Sequence, residues 1–141
     1  MRAMFETIGG QRPEMVAALG DDDARLLWAL RRLALMAPLG SARCQAVHVA
    51  LQQDFGDAGL GIEHLLRCLA FGLARCASRR LAIGTPCCAV VTSDEAALLA
   101  ILAWPETSDA ALIALAGPAA LRLRPLFEAL RLLIDGRRNW H

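Results

Sequence analysis

The chain has 141 residues, 56% of them hydrophobic and 21% charged, with a formal net charge of +1. That is the length of one domain, with enough apolar content to fill a core without disulfides or metal as staples, and the charge balance steers it toward neither nucleic acid nor membrane. All 15 basic residues are arginine and tyrosine is absent, which excludes a Schiff-base lysine, a Walker A loop and a tyrosine acid or nucleophile.

Punctuation divides the chain into helices. Met1 to Gly10 carries Glu6 and no apolar core, so it does not read as a secretory leader. Pro13 suits the first turn of a short helix ending at Gly20. Asp21, Asp22 and Asp23 offer caps and favourable charge to a helix running to about Met36, stopped by Pro38 and Gly40. Ser41 caps the next helix, which ends at Phe55-Gly56, and Asp57 to Gly61 reads as a glycine turn. A helix then runs from about Ile62 to Ala77. Arg79 to Pro86 is not helical in pattern: Leu81-Ala82-Ile83 reads as a short extended piece and Gly84-Thr85-Pro86 as loop.

Thr92-Ser93-Asp94-Glu95 is a Thr-x-x-Glu capping box before the apolar run Ala96 to Trp104. Pro105 ends that helix. Ser108 caps another, which ends at Gly117, and Pro118 opens a last one to about Ile134 with a kink or break at Pro125. Pro105, Glu106, Asp109 and Pro118 cut the apolar stretch Ala96 to Leu121 into pieces shorter than the ~20 residues a membrane span needs. The sequence therefore predicts an all-α fold: one compact domain over residues 1–141, five to seven helices with short loops, and a tail at 136–141.

Cysteine and histidine spacing carries the strongest hint of chemistry. Cys44 and His48 are four apart on one predicted helix, as are His64 and Cys68 on the next, so each pair shares a face. Two such pairs have the composition of a Cys2His2 zinc site. The faces argue otherwise. Cys44, Val47, His48, Leu51 and Phe55 form an apolar stripe. On the following helix the main stripe is Ile62, Leu65, Leu66, Leu69, Leu73 and Cys76, whereas His64, Cys68, Phe71 and Arg75 form a second, offset stripe suited to a subunit interface. Cys87-Cys88 is sharper still. Adjacent cysteines disfavour a mutual disulfide but suit a soft ion or a redox thiol pair, and they lie shortly before a helix N-terminus that favours a thiolate. Cys87, Cys88, Cys44 and His48 are the candidate metal ligands. The plainer reading is of small apolar side chains in a buried connector.

Arg67, Arg75, Arg79 and Arg80 are candidates for anion or partner contact, although cations near a helix C-terminus also complement its dipole. Aromatic residues are only 5% of the chain, so bases find little to stack on and nucleic acid binding is not expected. The tail Arg137, Arg138 and Trp140 is a further candidate grip. G-x-S-x-G, H-E-x-x-H and glycine-rich phosphate motifs are missing.

The string Pro86-Cys87-Cys88-Ala89-Val90-Val91-Thr92-Ser93-Asp94-Glu95-Ala96-Ala97-Leu98-Leu99, preceded by an arginine-containing helix, resembles a family of short helical proteins from high-GC alphaproteobacteria. The resemblance covers about Gly40 to Ala103 and includes His48. Arginine-only basicity with abundant Ala, Leu and Gly fits such a genome. That family carries no assigned activity, so the resemblance implies a fold unit and no function. A third consecutive cysteine occurs in the family where this chain has Ala89. The sequence thus favours a non-enzymatic helical interaction or regulatory module, without cofactor. It is expected to act in the cytoplasm as a homo-oligomer, a homodimer first, with a protein partner and no membrane. The rival is a thiol-based metal-ion or redox site at Cys87-Cys88.

Overall fold

The structure, a computed structural model, describes residues 14–36 and 44–139, the last three as backbone. Over these residues run α1 (Asp21–Met36), α2 (Gln45–Phe55), α3 (Gly59–Cys76), α4 (Ser93–Ala103), α5 (Asp109–Ala116) and α6 (Arg124–Asn139). Short 3-10 turns at Val16–Ala18, Gly56–Ala58, Pro105–Thr107 and Pro118–Leu123 punctuate them. The fold is all-α, as the sequence predicts. Among the described residues the only β pairing is an isolated antiparallel bridge between Met15 and Val90. None of the described helices is long and apolar enough to cross a membrane.

α3 lies at the centre and packs against α1, α2 and α6. Its buried face is Ile62, Leu66, Leu69 and Leu73, the helical spacing that puts one stripe toward a core. Leu26, Leu30 and Leu33 of α1, Val47, Leu51 and Phe55 of α2, Leu98, Ile101 and Leu102 of α4, and Phe127, Leu130 and Ile134 of α6 close around it as one cluster. Each such side chain taken from water contributes roughly 1.5–3 kcal/mol. α5 is apolar nearly all round, yet it buries Leu112, Leu115 and Ala116 and turns mainly alanines outward. The α2–α3 corner depends on Gly59, where a Cβ would lie 2.6 Å from the Leu51 carbonyl oxygen. Only glycine lets the two backbones approach that closely.

Several boundaries differ from the sequence reading. In place of a helix ending at Gly20 there is an extended entry and a single 3-10 turn. The Glu14 carbonyl accepts from Val91 N–H and Val16 N–H donates to the Ala89 carbonyl, so these groups are committed to the bridge. The Asp57–Gly61 turn is shorter than expected, since α3 already starts at Gly59 and the close approach to Leu51 holds it there. Pro118 opens a 3-10 stretch, and α6 begins at Arg124 with Pro125 in its first turn, where a missing N–H costs nothing. The tail expected from Gly136 is helical as far as Asn139. The Pro13 start, the stops at Pro38 and Gly40, the Ser41 cap, the residues Met1 to Gly10, and Trp140 and His141 lie outside the described residues, as do the side chains of Arg137 and Arg138. Among the described residues Cys44 is the N-cap of α2.

Candidate functional site

The Thr92 capping box forms as read: Glu95 N–H donates to Thr92 Oγ1 at 3.0 Å and Thr92 N–H returns to Glu95 Oε1 at 2.9 Å. The Glu95 side chain is fully buried, and its charged partner is Arg31 of α1, also buried. Arg31 Nε donates to Glu95 Oε2 at 2.7 Å and Nη2 to Oε1 at 2.8 Å. The rest of the guanidinium holds the loop after α3, with Nη1 on the Cys88 carbonyl and Nη2 on the Val90 carbonyl. Burial pushes the Glu95 carboxyl up, but Arg31 and the N–H groups of Thr92 and Gly84 outweigh it, so it stays below the usual range. Gly84 passes so close that a Cβ there would be 3.1 Å from Arg31 Nη2.

Segment 77–84 leaves α3 and runs past this pair. Its alternate residues lean on the start of α4. Ala82 N–H donates to Asp94 Oδ2 at 2.7 Å, Gly84 N–H donates to Glu95 Oε2 at 3.0 Å, and Thr92 Oγ1 donates to the Ala82 carbonyl. Asp94 is also gripped by Arg79 at 2.6 and 3.1 Å. That hydrogen bond outweighs burial and, with the Ala82 N–H, holds the Asp94 carboxyl below its ordinary value. In an extended chain, neighbouring residues aim their N–H and C=O groups at opposite edges. Ala82 and Gly84 have their edge taken by the first turn of α4. Leu81 and Ile83, between and beside them, do not: among the described residues their N–H and C=O groups make no hydrogen bond.

Beside this segment lies a cleft of about 930 Å³. Leu30, Ala34 and Leu35 of α1 form one wall, Ala70, Leu73 and Ala74 of α3 another, and Ala77 to Gly84 the third. The described lining is mainly apolar, contains Arg31, Arg79 and Arg80, and includes no carboxylate. An apolar cavity with a few placed polar groups is the ordinary form of a binding site.

The candidate residues from the sequence fall in different places. Cys44 is buried at the α2 N-cap and receives a hydrogen bond from Arg32 Nε at 3.3 Å. Burial raises its thiol, but the Arg32 bond and the N–H groups of Val47 and Ala46 bring it below the ordinary value. His48 turns to Glu63, with Nδ1 to Oε1 at 2.7 Å, and Arg67 Nη2 donates to the other oxygen at 2.7 Å. Cys87 is exposed, and Cys88 Sγ–H donates to the Val90 carbonyl. All five cysteines are free. Among the described residues no three of His, Cys, Asp and Glu meet as a metal site, so Cys87 and Cys88 are not brought to Cys44 and His48. The four arginines also separate: Arg67 serves Glu63, Arg75 is exposed away from the described cleft lining, and only Arg79 and Arg80 reach it.

Arg31, Glu63 and the second role of Glu95 escaped the sequence reading. A signal existed: Arg31 falls four residues after Leu27 on the buried stripe of α1, and Glu63 three before Leu66 on that of α3. A charge on an apolar stripe implies a buried partner. No protein-family model matches the chain, and no curated protein or solved structure is found similar to it.

Proposed function

We propose that this chain is a non-enzymatic interaction module whose working surface is the cleft between α1, α3 and segment 77–84. There an extended segment of a partner protein adds as a strand to the Leu81–Ile83 edge. The observation that carries this reading is the unfilled hydrogen bonding of Leu81 and Ile83 in residues that line an apolar cleft. A free edge of this kind is a template for strand addition: main-chain bonds supply affinity and side-chain subsites supply selectivity.

The test is a titration of the 15N-labelled protein with a blocked peptide, Thr-Val-Gln-Val-Thr. Amide shifts clustered at residues 79–84 support the reading. Ile83→Pro removes one free donor without touching a hydrogen bond inside the protein. It should abolish binding while leaving the helical circular dichroism intact. Unchanged binding by this variant would refute strand addition.

The module is proposed to act in the cytoplasm of a bacterium, as a member of the Cys-Cys family it resembles. It is also proposed to be a homodimer, joined through the half-exposed Cys68 and Phe71 on the second stripe of α3. Light scattering at twice the chain mass of 15.2 kDa supports the dimer, and the monomer mass refutes it.

A further inference from the structure

Within that reading, the charges of the cleft identify the kind of segment it takes. Arginine is the only charged residue in its described lining. Arg31 is matched by Glu95 and Arg79 by Asp94. Both carboxyls are held ionised by these contacts, so neither is available to a visitor. Arg80 is exposed and has no acidic partner among the described residues. Among the described residues the cleft therefore presents one uncompensated guanidinium, next in sequence to the first residue of the free edge.

We infer that the partner segment carries an aspartate or glutamate side chain among alternating apolar residues, and that Arg80 is the residue that selects it. In an extended segment paired with Leu81 and Ile83, alternate side chains point to opposite faces. One set covers the apolar floor at Leu30, Leu73 and Ala74, and the other set stands at the rim. A carboxylate in the rim set meets the Arg80 fork, which suits paired hydrogen bonds to two oxygens. A lysine or arginine at the same place meets only like charge. The described lining continues past Arg80 to Ser78 and Ala77. The segment therefore passes Arg80 instead of ending there, and the carboxylate belongs to a side chain, not to a chain terminus.

The experiment compares three blocked peptides by calorimetry and 15N amide shifts: Thr-Val-Glu-Val-Thr, the same with Gln, and the same with Lys. The glutamate peptide should bind about two- to fivefold more tightly than the glutamine peptide at low salt, the size of one exposed charge pair. That advantage should vanish in Arg80→Gln and shrink in about 0.5 M salt, where the screening length is only a few ångströms. The lysine peptide should bind most weakly. Glutamate and glutamine peptides binding equally, with shifts at 79–84 in both, would overturn the acidic preference and leave the docking reading standing. Full advantage retained in Arg80→Gln would overturn the role of Arg80. An unblocked Thr-Val-Gln-Val-Thr that matches the glutamate peptide would overturn the side-chain assignment in favour of a terminus. Absence of binding by all three would overturn both the inference and the docking reading.

Discussion

Arg31 and Glu95 face each other through two hydrogen bonds, Nε to Oε2 at 2.7 Å and Nη2 to Oε1 at 2.8 Å, with side chains 1% and 0% exposed. They join α1 to α4, and their spare hydrogen-bonding groups fix Gly84, Cys88, Val90 and Thr92. Breaking one partner of a buried pair strands the other charge, at a cost of about 3–5 kcal/mol. Glu95→Ala should therefore lose about that much stability in urea denaturation, again on the scale of buried-pair disruption. Arg31→Met combined with Glu95→Gln should be more stable than Glu95→Ala, because no charge is left buried. If the double variant is the least stable of the set, the pair contributes more than mutual neutralisation.

Asp94 and Glu95 also fix the response to acid. Both carboxyls lie lower in the folded chain than in the unfolded one. Their contribution is thus complete above the unfolded carboxylate range, near ~4, and is lost as pH falls through the folded values. The urea midpoint should be flat from about pH 6 to 8 and fall steeply below about pH 4. Asp94→Asn should start lower at neutral pH and fall less steeply. A parallel fall in the two proteins would rule out Asp94 as a source of the slope.

Thr92 has two duties, the cap to Glu95 N–H and the bond from its hydroxyl to the Ala82 carbonyl at 2.6 Å. Thr92→Ala should destabilise by roughly 1 kcal/mol for the cap, with more for the freed carbonyl. Thr92→Ser keeps both bonds and should stay close to the parent protein. Thermal melts of the three proteins decide it.

Access and acidity separate the cysteines. Cys87 is exposed, whereas Cys44 is buried although its thiol is shifted toward the thiolate. An aromatic disulfide reagent should label Cys87 first and Cys44 last, and Cys87→Ser should remove the fastest phase without changing the melt. Fast labelling of Cys44 in the native protein would show that the α2 N-terminus opens to solvent.

The features legible in the sequence are those that depend on near neighbours. The Thr92-x-x-Glu95 box could be read because its two bonds close within one helical turn, and Pro105 and Gly117 mark helix ends by their own backbone rules. Cys44 and His48 could be placed on the inner stripe of α2, but their partners Arg32 and Glu63 come from other helices. Arg67, Arg75, Arg79 and Arg80 looked like one basic surface because they are close in sequence. The structure separates them, since Arg67 turns back to Glu63 one turn earlier while Arg79 and Arg80 lie beyond the helix end. The cleft has no sequence signature. It arises where the last turns of α1 and α3 leave a gap that segment 77–84 borders.

The Arg31–Glu95 pair spans 64 positions of sequence. A contact that distant forms only after the helices carrying it have met, because the intervening loop must close first. Segment 77–84 has no ladder of its own; Ser78 N–H is held by the Ala116 carbonyl, and Ala82 and Gly84 take their order from Glu95, Asp94 and Thr92. In folding kinetics it should therefore behave as a late element, and substitutions at Ala82 or Gly84 should speed unfolding far more than they slow folding. The edge offered by Leu81 and Ile83 comes into existence only in molecules whose α1 and α4 are already docked, so an incompletely folded chain has no such template to offer.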